Sequence, residues 1–229
     1  MSLLSLRDVT VLFRRNGASC PALQGVSLDI QSQEVLTIMG ASGSGKTTLL
    51  NVCAGIERPT SGKVLLDGDD LSAASEAAVT STRRGKIGFV FQSLNLLRHL
   101  PARMNVELPL VLAGWAPADR RRRVDELLGA CGLSDRADAL PDQLSAGQQQ
   151  RLAVLRALAH RPSLVLMDEP TSCLDSQTAQ AVMDLVLQMA ASQQTAVVLA
   201  THDPAVAQRT GRTILLKDGA IASDSNAGR

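Results

Sequence analysis

Apolar residues along the chain change period several times, and each change marks an element. Alternation over residues 3–13 (Val9, Val11, Phe13) and 22–30 (Val26, Leu28, Ile30), broken at Asn16-Gly17, predicts two antiparallel strands. VLTIM, residues 35–39, is apolar throughout, so it predicts a strand buried on both faces, with a glycine-rich turn and a helix over KTTLLNVCA behind it. A turn at Pro59 to Gly62 leads into the strand KVLLDG, an alanine-rich helix over 71–84 and the strand IGFVF, residues 87–91.

Between about 93 and 160 the texture is helical, with Val124, Leu127, Leu128 and Cys131 forming one apolar stripe. Buried-strand runs resume at LVLM (164–167) and AVVLA (196–200), separated by a helix with Val182, Leu185, Val186 and Met189 on one face. ILLKDGAIA predicts a hairpin with a type I′ turn at Asp218-Gly219, and the polar SDSNAGR that ends the sequence predicts a frayed segment. The expected class is α/β: a mainly parallel central sheet, an N-terminal antiparallel β subdomain and an inserted α-helical subdomain. One domain would span 1–229, with its core in 1–92 and 161–222, the helical part in about 93–160 and a polar tail at 223–229.

A chain of 229 residues can bury an ample core, and an aromatic content of 2% means that aliphatic packing must build it. The net charge of +1 provides no field for collecting a polyanion, so no nucleic-acid partner is expected. Cys20, Cys53, Cys131 and Cys173 are scattered without a CxxC pair, which predicts small buried hydrophobes in a reducing compartment. MSLLSLRDVTV meets Arg7 and Asp8 before a signal-peptide core could form. The best apolar run, VELPLVLAGWA, contains Pro109 and is about half the roughly 20 residues of a membrane helix. The expectation is a chain that does not span a membrane and reaches one only through a partner.

Ligands of parallel sheets bind at the carboxyl ends of the strands. Here those ends carry GASGSGKTT, Gln92, Asp168-Glu169 and Thr201-His202-Asp203. GASGSGKT, residues 40–47, fits GxxxxGK[ST]: the backbone of Gly40, Ala41, Ser42, Gly43, Ser44 and Gly45 curls around phosphate, Lys46 reaches the β and γ phosphates, and the Thr47 hydroxyl can hold Mg²⁺. Asp168 suits Mg²⁺ and Glu169 a general base, although an acid pair after a strand reads equally as the cap of the next helix. His202 could meet a γ-phosphate or be a satisfied turn residue, and Gln92 alone reads as solvated. Residues Leu144, Ser145, Ala146, Gly147 and Gln148, opening LSAGQQQR, form a second anion-binding helix start.

In this order, GASGSGKTT, Gln92, LSAGQ, LVLMDEP, SCLD and ATHD resemble the nucleotide-binding subunit of ABC transporters, from Phe13 to about Gly219. The resemblance implies a P-loop NTPase that binds ATP and Mg²⁺ and hydrolyses ATP. It also implies a homodimer in which LSAGQ of one chain caps the ATP on the P-loop of the other, so the second phosphate site serves a second copy. Lys46, Thr47 and Thr48 would meet phosphates and Mg²⁺, Gln92 Mg²⁺ and the attacking water, and Asp168 Mg²⁺. Glu169 would be the base, His202 the γ-phosphate sensor, and Ser172, Cys173, Leu174 and Asp175 the loop between the sites. Phe13 falls where the family stacks an aromatic on adenine, and it fits a core position as well.

Two residues depart from the family pattern. Ala146 replaces a glycine, which would cost about 1 kcal/mol or more if the position needed φ > 0. Cys173 stands where alanine is usual. GFVFQSLNLL and NVELPL are similar to the subgroup of lipoprotein-releasing, macrolide-export and cell-division ATPases, implying an integral membrane permease partner and a place on the cytoplasmic side of the inner (plasma) membrane. Leu94, Leu96, Leu97 and Leu100 read as a groove docking that partner's coupling helix near Gln92 to Leu100, or equally as subdomain core. Arg120 to Arg123 read mostly as a solvated helix face, with contact to anionic lipid headgroups or the partner as the alternative. Alternatives are a regulatory ABC ATPase with little turnover and a non-transport ABC ATPase on DNA or ribosomes. The latter usually carries two such domains, zinc inserts or coiled coils, none visible here.

Overall fold

The strands that read as continuous apolar runs become the middle of a sheet covered on both faces. The computed structural model describes residues 2–15 and 18–225; Asn16, Gly17 and residues 226–229 lie outside the described residues, while Ser223 and Asp224, expected in a frayed tail, belong to the last strand. In chain order the elements are β1 (Leu4–Arg15), β2 (Ala18–Ile30), β3 (Val35–Met39), α1 (Lys46–Cys53), β4 (Ser61–Leu66), β5 (Asp69–Asp70), α2 (Glu76–Lys86), β6 (Ile87–Val90), α3 (Ala102–Leu112), α4 (Pro117–Ala130), α5 (Ala146–Leu158), β7 (Leu164–Asp168), α6 (Ser176–Gln193), β8 (Ala196–Thr201), α7 (Pro204–Ala207), β9 (Arg212–Lys217) and β10 (Ala220–Asp224).

The larger sheet runs β10-β9-β3-β8-β7-β6 and is parallel except for its β9-β10 hairpin. Successive residues of its inner strands feed different cores. Val165, Met167, Val197 and Leu199 pack with α3 to α6, while Leu164, Leu166, Ala196, Val198 and Ala200 pack with α1 and the antiparallel sheet β2-β1-β4-β5. Burial of both strand faces is why the sequence shows no alternation there. The hairpin turn has Asp218 at φ 50° and Gly219 at φ 76°, the pair of left-handed residues that a type I′ turn requires.

Local chemistry moves some boundaries. The alanine-rich helix starts at Glu76 rather than 71, because Asp70 accepts from the amides of Ser72 and Ala73 and shapes a turn, and Ser75 then caps the helix. The strand before Gln92 ends at Val90.

Two side-chain expectations are corrected. Arg123 is not on the solvated face: it is buried, donating to the Ala159 carbonyl and pairing with Glu126 at 2.8 Å, and burial pushes its pKa below the usual arginine value. Only Cys53 and Cys131 are buried hydrophobes; Cys20 and Cys173 are exposed, the first on the edge strand β2 and the second in the loop before α6. All four are free thiols.

Candidate functional site

A cleft of about 620 Å³ opens at the carboxyl ends of β3, β7 and β8 and is lined by Phe13, Ala22, Ser42, Gly43, Gly45, Lys46, Thr47, Thr48, Gln92, Asp168, Glu169 and His202. The topology thus brings together residues separated by up to 189 positions in sequence, from Phe13 to His202. Its floor is the turn between β3 and α1. Gly45 has φ 103°, and a Cβ there would lie 2.5 Å from the Ala22 carbonyl, so no other residue fits this bend. The Lys46 ammonium is almost buried and donates to the carbonyls of Gly40 (2.8 Å) and Ala41 (3.0 Å), which holds it over the loop.

Opposite the loop stand the two acids. Thr47 Oγ1 donates to Asp168 Oδ2 at 2.7 Å, while Asp168 Oδ1 is buried without a partner. Burial raises the Asp168 pKa, the Thr47 hydrogen bond lowers it, the neighbouring Glu169 charge raises it and Lys46 lowers it. Glu169 has a left-handed backbone (φ 49°) and places Oε1 3.0 Å from His202 Nδ1 and 3.9 Å from Lys46 Nζ. Neither acid caps a helix: Asp175 caps α6, accepting from the Thr178 amide at 3.0 Å. His202 sits in the bend that follows β8, largely exposed, and its contact there is with Glu169.

An orphaned, buried carboxylate oxygen beside a threonine hydroxyl is a donor set for a hard divalent cation that completes its shell with phosphate oxygens and water. No group of three or more His, Cys, Asp or Glu side chains among the described residues could hold a metal without such help. The residues present therefore fit Mg²⁺ arriving with a nucleotide.

An expected outcome follows from the raised pKa of Asp168. A group whose pKa rises on folding contributes its stability below its unfolded value and loses it as pH climbs through the folded value. At a pH above both values the charged Asp168 therefore weighs against the nucleotide-free fold. Asp168→Asn should raise the melting temperature of the nucleotide-free chain, by about 2–4 °C for each kcal/mol of desolvation relieved, and abolish most of the further rise caused by Mg-ATP. Thermal unfolding with and without Mg-ATP checks both; a lowered nucleotide-free melting temperature would show that the Thr47 contact outweighs the desolvation.

Residues 23–172 match the ABC transporter family. The chain belongs to that family. As an ABC ATPase it is 40% identical over 227 residues, covering 99% of its length and 98% of the relative's, to the ABC transporter ATP-binding protein YknY of Bacillus subtilis (strain 168). It is 44% identical over 223 residues, 97% of its length, to the macrolide export ATP-binding/permease protein MacB of Brucella abortus (strain 2308), and spans 34% of that relative. Its fold matches the dimeric post-hydrolysis structure of the ATP-binding cassette MJ0796 bound to ADP and Pi, with a TM-score of 0.90 and 40% identity over 96% of this chain and 97% of the other. The chain thus has the family and the fold of an ABC ATPase.

The remaining motif residues stand elsewhere. None of residues 144–148 lines the cleft. Ser145 caps α5 in a reciprocal pair: it accepts from the Gln148 amide (3.3 Å), and its own amide donates to Gln148 Oε1 (2.9 Å). Ser172 and Cys173 are exposed ahead of the Asp175 cap. Phe13 is 42% exposed and lines the cleft, so it is not a core residue. Ala22 was not foreseen; it reaches the cleft only through its place on β2, and no motif marks it.

Ala146 opens α5 and is not among the residues of positive φ. Alanine is therefore unstrained there. Ala146→Gly is expected to leave the ATPase rate within about twofold and to lower stability by less than about 1 kcal/mol, the cost of glycine in a helix. Steady-state hydrolysis and thermal unfolding decide it; a severalfold faster variant would mean that the Cβ obstructs a phosphate.

Proposed function

We propose that the chain powers a membrane permease: two copies close head to tail over two ATP molecules, and hydrolysis opens them. The observation that carries this reading is the separation within one chain of the P-loop cleft from the capped start of α5, two phosphate-binding arrangements of which only one is used by a single copy. The relative MJ0796 is a dimer, and the MacB relatives are named export ATP-binding/permease proteins.

In this reading the adenine stacks on Phe13, the backbone of residues 40–45 with Lys46, Thr47 and Thr48 holds the triphosphate, and Thr47, Asp168 and Gln92 hold Mg²⁺. The ion supplies charge neutralisation on the phosphates. Glu169 accepts a proton from the attacking water, and the water oxygen bonds to the γ-phosphorus as the bond to the bridging oxygen of ADP breaks. His202 orients Glu169 and meets the γ-phosphate. Ser145 and the amides at the start of α5 meet the γ-phosphate of the partner copy, and Ser172 to Asp175 join the two sites.

The helical stretch 93–160 then acts as a subdomain that carries LSAGQ, residues 144–148, the signature segment. Within it, Leu94 and Leu96 pack on the helical core, whereas Leu97 is exposed and Leu96 to Leu100 line an open cavity of about 480 Å³. A second cavity of about 360 Å³, lined by Ala54, Ile56, Ile87, Phe89 and Phe91 among others, lies at the strand that leads into Gln92. Apolar surface on either side of that loop supports docking of a permease segment there. No helix among the described residues is long and apolar enough to cross a membrane, and the permease would hold the chain at the cytoplasmic face of the inner membrane.

Sedimentation equilibrium of Glu169→Gln in saturating Mg-ATP tests the assembly. Twice the chain mass is expected. A single-chain mass, with and without the permease, overturns the reading.

A further inference from the structure

Between Gln92 and α3 the chain makes a turn that residues with a Cβ resist: Leu94 (φ 59°) and Asn95 (φ 48°) are both left-handed. One guanidinium takes both of their carbonyls. Arg156, on α5, donates through Nη1 to the Asn95 carbonyl at 2.6 Å and through Nη2 to the Leu94 carbonyl. Burial pushes the Arg156 pKa below the usual arginine value, and no carboxylate opposes that shift. A cation so placed is matched to these carbonyls rather than to an acid.

Gln92 depends on that turn. Its side chain makes no hydrogen bond within the described residues, so its place in the cleft is set by its backbone, which continues into the Leu94 amide bound to the Phe91 carbonyl at 2.8 Å. Arg156 lies eleven residues after Ser145 on one continuous helix, about 16 Å along its axis. We infer that Arg156 is the positioning residue for Gln92: it holds the left-handed turn in place and ties Gln92 to the helix that begins at the signature segment. The inference rests on the proposed role of Gln92 in ordering the attacking water. Lysine cannot replace Arg156 here, because one ammonium on a flexible stem does not reproduce a planar fork on two carbonyls.

The test is a double-mutant cycle read as ATP turnover, with nucleotide binding as the control for folding. Arg156→Lys is expected to lower kcat about tenfold and leave the KM for ATP within about twofold, since neither Phe13 nor the P-loop touches Arg156. In a Gln92→Ala chain, itself slow, adding Arg156→Lys should change kcat by less than about twofold. Asn95→Pro supplies a second route should Arg156→Lys fail to bind nucleotide: it is an exposed residue, it forces φ negative and it displaces the same carbonyl with Arg156 intact. The same loss and the same cancellation are expected from it. Losses that multiply in the double variant overturn the inference and leave the Gln92 role standing. Full turnover in Gln92→Ala, with Arg156→Lys still slow, removes the Gln92 role and the inference with it.

Discussion

Glu169→Gln is expected to lower steady-state ATP hydrolysis by about 100-fold or more while nucleotide binding persists. Glutamine keeps the shape of the side chain and its contact with His202 but cannot accept a proton from water. The P-loop is untouched, since Lys46 is held by the Gly40 and Ala41 carbonyls and its distance to Glu169 Oε1 is 3.9 Å. The KM for ATP should therefore stay within a few-fold. Blocked turnover should also leave the γ-phosphate in place, so the two-copy assembly should accumulate where the unaltered chain cycles through it. Phosphate-release kinetics and sedimentation on the same preparation read the two effects separately. A variant that hydrolyses within threefold of the unaltered rate would remove Glu169 from the base role whatever its oligomeric state.

The left-handed backbone of Glu169 adds a reason for its specificity of place. Its amide donates to the Ala200 carbonyl of β8 at 2.9 Å, so the chain turns out of β7 directly over the neighbouring strand, which ends at Thr201 with His202 next. Strand pairing thus sets the 3.0 Å approach of Glu169 and His202; no bond of their own is needed to find each other. The acid and the imidazole arrive together because their strands are neighbours.

The cleft was legible in the sequence to the extent that its chemistry lies at strand ends. VLTIM, LVLM and AVVLA are unbroken apolar runs, so their ends are unambiguous and the residues that follow can be placed on one edge. Phe13 was ambiguous because alternation on β1 assigns a face but not what covers it. Arg123 and Arg156 were illegible for a related reason. Both look like solvated charges in a helix, and both are turned inward by carbonyls 36 and 61 to 62 residues away, contacts that leave no periodic trace. Cys20 and Cys173 misled in the other direction, since composition says where cysteines usually lie and not where a loop or an edge strand puts one.

Gly88→Ala is expected to be the most damaging substitution of a single hydrogen by a methyl group outside the cleft. Gly88 sits in β6 beneath α5, and a Cβ there would lie 2.1 Å from the Ala157 carbonyl oxygen, 2.9 Å from its carbon and 3.1 Å from Val165 Cγ2. The obstacle is main chain, so no rotamer change relieves it; strand and helix must part. Overpacking of this kind costs about 3 kcal/mol or more, against a total stability of about 5–15 kcal/mol, and should lower the melting temperature by roughly 6–12 °C. The functional loss should exceed the thermal one, because β6 leads to Gln92 and α5 carries Ser145 and Arg156. Separating them moves the signature segment relative to the cleft that contains Gln92. ATP turnover should therefore fall at temperatures where the variant is still folded. Trimming the facing side chain with Ala157→Gly should not restore it, since the carbonyl remains. A melting temperature within 2 °C of the unaltered chain would show that β6 and α5 are not held at this spacing.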